Sequence, residues 1–390
     1  MTSAHVCHIA TMTQWGGVER ILIDFLSHVD QTKISHSLLT TSNSSHIMTS
    51  IEQAGILNFR PSRQFHYDPT AVLQMAQWLR SQNVQIVHAY NAVGNAWGNL
   101  AALLAKTPIY ISGEHGSVWR IRSLLYWLNR AAYRRAQCII VNSAASKVLV
   151  CHKYQVDPRN VRVVYNIVAP PTQVDREKAR FELGIGAELI VGSIGRLAEQ
   201  KGYRVFIDAA KKILQIRTDI KFIIIGGGEQ EADLQRYIQD LGIEDKFILT
   251  GWRQDARELL PAFDVFVSTS IYEPFGNVLI EAAMVGVPVI APCVDGIPEA
   301  VADGITGKLL RPVNTILEKR ALPPHVVIDG KLSQPLAIDA TELAETILEF
   351  ANYPDLRQRY GEAGQERAKT LCTVGQYINE VQKIYNELMG

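Results

Sequence analysis

Short, nearly continuous apolar runs recur along this chain, and between most of them lies a helix-like stretch. The first series is HVCHIAT (5–11), SHSLLTT (35–41), VQIVHAY (84–90), IYISGEH (109–115) and CIIVNS (138–143). Runs of this kind suit strands covered on both faces, and helical crossovers between them impose a mostly parallel sheet. A proline pair in IVAPPTQVDREKAR (167–180) breaks the rhythm and reads as a linker. The pattern then restarts with LIVGSIG (189–195), KFIIIGGG (221–228), KFILTG (246–251), DVFVSTS (264–270) and VPVIAP (287–292). The fold class is therefore α/β, with doubly wound domains over residues 1–169 and 170–374. A length of 390 residues agrees with two domains.

Two segments stand outside the alternation. GQYINEVQKIYNELMG (375–390) places Tyr377, Ile378, Val381, Ile384, Tyr385 and Leu388 at helical spacing, which predicts an amphipathic helix. VNTILEKRALPPHVVIDGKLSQPL (313–336) carries three prolines and no clear period, and reads as a surface excursion or flap.

Composition narrows the partners. Lys and Arg outnumber Asp and Glu by 15 to 7 over residues 1–169 and are outnumbered 24 to 32 over the remainder, so a neutral chain is +8 in its first half and −8 in its second. The asymmetry suggests different partners for the halves, an anionic surface for the first. No basic stripe interleaved with base-stacking aromatics points to nucleic acid. The five cysteines are scattered and without CxxC spacing, which fits a reducing cytoplasm better than a disulfide framework or zinc site. A signal-peptide pattern and an apolar stretch of spanning length are both missing, so the expected location is cytoplasmic. A peripheral seat on the inner membrane face is suggested by VWRIRSLLYWLNRAAYRR (118–135), where five arginines join Trp119, Leu124, Leu125, Trp127 and Tyr133. An ordinary core-packing helix with a solvated basic face fits that stretch equally well.

Candidate chemistry gathers where ligands sit in such sheets, beyond the carboxyl ends of the strands: Gly195-Arg196, Gly226-Gly227-Gly228 and Glu273 all fall there. In IYEPFGNVLIEAAMVGVPVIAP (271–292), Pro274 and Gly276 interrupt the run and a helix starts at Asn277. The amides of Gly276, Asn277 and Val278 would then lie at a helix N-terminus, where a phosphate is favoured. Glu281 follows Asn277 by four residues, on the same face and within reach of a ribose. GRLAEQKG (195–202) adds Arg196 and Lys201, two cations able to neutralise a diphosphate in the ground state and as it departs. A lone loop cation is ordinarily a solvated residue; two beside a helix N-terminus outweigh that reading. Gly16 and Gly17 in QWGGVERILIDFL (14–26) open another helix without forming GxGxxG, a weak signal alone. His115 ends a first-domain strand, a position that faces a cleft. No DxD and no His/Glu cluster with metal spacing occurs, so no metal or other cofactor is expected.

Taken together, the glycines at 16 and 17, GRLAEQKG, GGGE, the EPFGNVLIE stretch with its E-x7-E pattern and a returning C-terminal helix resemble, in order and over essentially the whole chain, the retaining GT-B-fold glycosyltransferases of family 4. The resemblance implies two Rossmann-like domains facing across a cleft, an acceptor in the first and a nucleotide sugar in the second, with helix 375–390 returning to the first. It implies that Glu273 and the amides of Phe275, Gly276, Asn277 and Val278 hold sugar hydroxyls and Glu281 the ribose. Arg196 and Lys201, helped by Gly17, would grip the diphosphate, Gly16 and Gly227 would also belong to the donor site, and His115 would contact the sugar near the anomeric centre. The expected reaction is metal-independent, retaining transfer from a UDP-sugar, in preference to a GDP-sugar, to a glycan or lipid-linked acceptor in bacterial cell-surface polysaccharide or glycolipid synthesis. The segment 313–336 departs from the family's compact pattern. A nucleotide-sugar epimerase of similar fold and a non-catalytic nucleotide-sugar-binding protein are the alternatives, and E-x7-E identifies no acid/base pair for the former.

Overall fold

The two series of apolar runs become two parallel sheets in the computed structural model, which describes residues 4–12, 17–43, 49, 51–63, 68–116, 123–170, 174–316 and 322–390. In the first, β1 (Ala4–Met12), β2 (Ile34–Asn43), β3 (Asn58–Phe59), β4 (Ile86–Tyr90), β5 (Ile109–Glu114), β6 (Cys138–Val141) and β7 (Val161–Val163) lie in the order β3-β2-β1-β4-β5-β6-β7. The second sets β8 (Leu189–Ile194), β9 (Ile220–Ile225), β10 (Phe247–Leu249), β11 (Val265–Val267), β12 (Val289–Pro292) and β13 (Gly307–Leu310) in the order β10-β9-β8-β11-β12-β13. Each neighbouring pair in both sheets is parallel. These are two Rossmann-like doubly wound domains. Strand order reverses between β1 and β4 in one and between β8 and β11 in the other, and such a reversal opens a crevice at the carboxyl ends.

By packing, the chain divides into Met1–Ile167 with Val374–Gly390, and Val168–Thr373. In the second unit Phe222, Ile223, Ile224 and Ile225 are all fully buried, as a strand covered on both faces must be. The helix Tyr203–Leu214 supplies one cover through Tyr203, Phe206, Ile207, Ala210 and Ile213, and Phe206, Phe222 and Phe247 meet with centroids 5.5–5.9 Å apart. The first unit's core is less apolar. His8 pairs with His88 in register across β1 and β4, and with His36 from β2 they lie under the helix Val374–Met389. His8 reaches His36 at 3.1 Å and Tyr90 at 3.0 Å, while His88 reaches Tyr385 at 2.8 Å.

Helix starts follow capping chemistry: Asp68, Ser143, Asp175 and Asp339 each accept backbone N–H groups of the first turn. Asp175 shortens the expected linker, because the helix it caps, Arg176–Glu182, begins inside 167–180. The excursion 313–336 also has more order than its prolines suggest. Its base is closed by β14 (Asn314–Thr315) against β17 (Leu336–Ala337), and β15 (Val326–Ile328) and β16 (Lys331–Ser333) form a hairpin. Asp329 and Gly330 both have positive φ, 51° and 73°, the two-residue turn that best suits strand twist. Val326 and Val327 are buried, so the hairpin packs into its unit.

Candidate active site

The second unit's reversal point lies between the loops that follow β8 and β11. Gly202, at φ +60°, has no room for a side chain, since a Cβ would stand 2.4 Å from the Thr269 carbonyl. The Thr269 hydroxyl donates to the Lys201 carbonyl at 2.8 Å, Ile271 N donates to the Gln200 carbonyl at 2.8 Å, and the Gln200 amide donates to the Tyr272 carbonyl at 3.0 Å. That stitching brings Lys201 Nζ to 2.5 Å from Glu273 Oε2, with the two side chains only 18% and 16% exposed. Ser270 Oγ lies 3.4 Å from the same oxygen. Arg196, on the same loop, is exposed.

Beyond Glu273, the Phe275 ring is buried in the core, so that residue can offer a ligand only its main chain. Gly276 adopts φ +91° and begins the helix Asn277–Met284. Its amide and those of Asn277 and Val278 lie at the helix N-terminus, as expected, with Glu281 one turn on. Glu281 is held by Arg257, whose Nε donates to Oε1 at 2.8 Å and whose terminal nitrogen donates to the same oxygen. The glycines 226–228 are explained by contact between loops. A Cβ on Gly226 would stand 2.0 Å from the Gly195 carbonyl and one on Gly228 2.4 Å from that of Leu197, while the Gly227 carbonyl accepts from Leu197 N at 3.0 Å. They seat the Gly195–Leu197 turn that carries Arg196.

In the first unit, Gly17 opens the helix Gly17–His28, while Gly16 lies outside the described residues. His115 follows β5, buried and stacked on Tyr90 at 5.6 Å. Its main chain is fixed by Asn91 and Asn142. Nδ1 stands 3.1 Å from Asn166 Oδ1, so the N–H belongs there and Nε2 is left as a buried acceptor without a partner among the described residues. Burial pushes the imidazole down to about 4, against the opposing effect of the Asn166 bond, and it is neutral at physiological pH. Beside it, buried Glu114 accepts from Tyr133 Oη at 2.7 Å and Gly116 N at 3.2 Å. Burial raises that carboxyl.

Two family models account for most of this chain: "Glycosyltransferase Family 4" matches residues 15–170 and "Glycosyl transferases group 1" residues 175–317. The chain belongs to the group 1, family 4 glycosyltransferases. Among relatives of this glycosyltransferase, the Escherichia coli UDP-Gal:alpha-D-GlcNAc-diphosphoundecaprenol alpha-1,3-galactosyltransferase is 25% identical over 76% of this chain and 82% of its own. The alpha-maltose-1-phosphate synthase of Mycobacterium tuberculosis is 29% identical over 72% and 73%. In fold the enzyme is similar to Anabaena Alr3699/HepE, solved in complex with UDP and glucose, with a TM-score of 0.82 at 21% identity over 98% of this chain and all of that one. WaaG, a glycosyltransferase involved in lipopolysaccharide biosynthesis, superposes with a TM-score of 0.69 at 15% identity over 96% and 98%. The fold is GT-B.

Two residues of the glycosyltransferase's second unit escape sequence reasoning. Arg257 lies in an unremarkable loop, RQDARELL, and nothing in its spacing points to Glu281. Asp295, at φ +46°, accepts Glu273 N at 3.1 Å. Its one signal is a carboxylate three residues after the buried run VPVIAP.

Proposed function

We propose that this glycosyltransferase moves a hexose-type unit, with retention and without a metal ion, from a UDP-sugar to a glycan or lipid-linked acceptor in bacterial cell-surface polysaccharide or glycolipid synthesis. The observation that carries the reading is the Lys201–Glu273 pair at the reversal point of the second sheet, followed by a helix N-terminus and, one turn on, Glu281. A cation and a carboxylate, then a row of amides, then a second carboxylate match a diphosphate flanked by a sugar and a ribose. The choice of UDP over GDP is supported by the names of the galactosyltransferase and of the UDP-bound neighbour.

In this reading Lys201 and Arg196, with Gly17, neutralise the diphosphate as the bond from its oxygen to the anomeric carbon breaks. Glu273 and the main chain at 275–278 take the sugar hydroxyls, and Glu281 the ribose hydroxyls. The neutral His115 accepts a sugar hydroxyl's hydrogen at Nε2, a role its tautomer favours over proton donation. The acceptor oxygen attacks on the face the diphosphate leaves, and its proton passes to the departing phosphate. Cytoplasmic residence, with the basic helix Ser123–Arg135 on the inner membrane face, belongs to the same proposal.

Thermal shift against UDP-glucose, UDP-galactose, GDP-mannose, UDP and GDP, with and without chelator, tests it. A bound donor at about a hundred times its Kd should add roughly 2.7 kcal/mol of stability, and chelator should not change the shift. No response to any nucleotide, or a response that requires Mg²⁺, overturns the proposal.

A further inference from the structure

Asp295 is a buried carboxylate that the ligand reading does not use; three hydrogen bonds hold it and a fourth holds the residue after it. Oδ2 accepts from Glu273 N at 3.1 Å and Oδ1 from Val327 N at 2.7 Å. The Asp295 N–H donates to the Val327 carbonyl at 2.7 Å, and Gly296 N–H donates to the Glu273 carbonyl at 3.1 Å. The two loops are pressed together, since a Cβ on Gly296 would stand 2.1 Å from the Pro274 carbonyl. A turn alone would be better served by glycine, which adopts φ +46° without strain and brings no charge into the interior. Burial raises the Asp295 carboxyl to about 7 against the pull of its bonds to the amides of Val327 and Glu273, with the Glu273 carboxylate adding to the rise. The residue present is therefore the costly one.

The hairpin explains what that carboxylate gains. Val326 pairs with Ser333 and Ile328 with Lys331, which leaves the N–H and C=O of Val327 pointing away from β16. Asp295 takes both. One carboxylate thus ties the main chain of Glu273 to the excursion, while the Glu273 side chain is fixed separately by Lys201.

We propose that Asp295 is a positioning residue for sugar recognition, and that the hairpin Val326–Ser333 is the brace through which the excursion holds Glu273 in place. This rests on the reading of Glu273 as the acceptor of sugar hydroxyls. Glu281 and Arg257 make no hydrogen bond to Asp295 among the described residues, so nucleotide binding and sugar binding should separate. A carboxylate whose main chain is no longer held must be ordered on binding, and the sugar's share of the affinity falls.

The test measures, by calorimetry on the full chain, the Kd of UDP and of whichever of UDP-glucose and UDP-galactose the wild type binds. It compares Asp295→Asn, which can accept only one of the two N–H groups, with Val327→Pro, which removes the outward N–H without touching the hairpin's own bonds. Either variant should keep the UDP Kd within about twofold and weaken the nucleotide sugar about tenfold. The idea is overturned if folded variants bind the nucleotide sugar as the wild type does, or lose UDP and nucleotide sugar in equal measure, the mark of a merely structural role. A wild type that binds neither nucleotide nor nucleotide sugar sinks the proposed function first, a result distinct from either.

Discussion

Each of the two glutamates of the E-x7-E pattern carries its own cation: Glu273 has Lys201 and Glu281 has Arg257. Their eight-residue spacing and the helix start between them are legible in the sequence, because both follow from local backbone chemistry. Their partners are not, since Lys201 lies 72 residues before Glu273 and Arg257 24 before Glu281, and only the sheet brings them together. The consequence is electrostatic: a partly buried carboxylate beside a diphosphate would be repelled were its charge not balanced. Replacing Glu281 by Gln should weaken UDP itself, by about tenfold for a hydrogen bond to a charged group, and calorimetry with UDP measures it. That outcome is the complement of the Asp295→Asn result, where UDP is spared.

At the scale of elements, most strands of both sheets announce themselves as apolar runs, whereas β3, β7 and β13 stand outside any such run. The hairpin β15–β16 was legible in principle through Asp329-Gly330, but flanking prolines masked the alternation. The helix Ser123–Arg135 packs one face and exposes another. Its inward residues Asn129, Ala132 and Tyr133 are buried, while Leu124 and Trp127 are 70% and 59% exposed on the face that also presents Ala131 and Arg134. Arg130 sits over the Trp127 ring at 5.4 Å, joining charge to aromatic surface. Among the described residues no helix is long and apolar enough to cross a membrane, and contact of this face with an anionic surface is the part of the proposal that vesicles test. Sedimentation with vesicles containing phosphatidylglycerol should pull the protein down at low salt, and changing Arg130, Arg134 and Arg135 to Gln should release it. Equal sedimentation of both proteins would defeat the idea.

For the whole molecule, acid should act first on the unit that buries histidines. Burial lowers His8 and His88 well below the usual range, and His36 and His115 to about 4. The sign follows from the depressed values: the folded state keeps these rings neutral while the unfolded chain takes up protons near 6.5. Their contribution is complete above that pH and is lost as pH falls from about 6.5 towards 4, each ring adding at most about 1.4 kcal/mol per pH unit. Urea midpoints at pH 7.5 and 5.0, followed by near-ultraviolet circular dichroism, should show a clear fall at the lower pH, and phenylalanine at His88 should reduce it. The sequence hides this property because His8, His36 and His88 lie on three strands, and only pairing β1 with β2 and β4 gathers them.

The helix Val374–Met389 puts Tyr377, Val381, Ile384 and Tyr385 into the same core as Val6, Leu22 and Phe25. During synthesis, then, the strands made first must wait. Val168–Thr373 has all its core residues in hand as soon as it emerges from the ribosome, whereas the core of the earlier segment lacks its last helix until residues 374–389 appear. The core that translation begins first is the one it completes last.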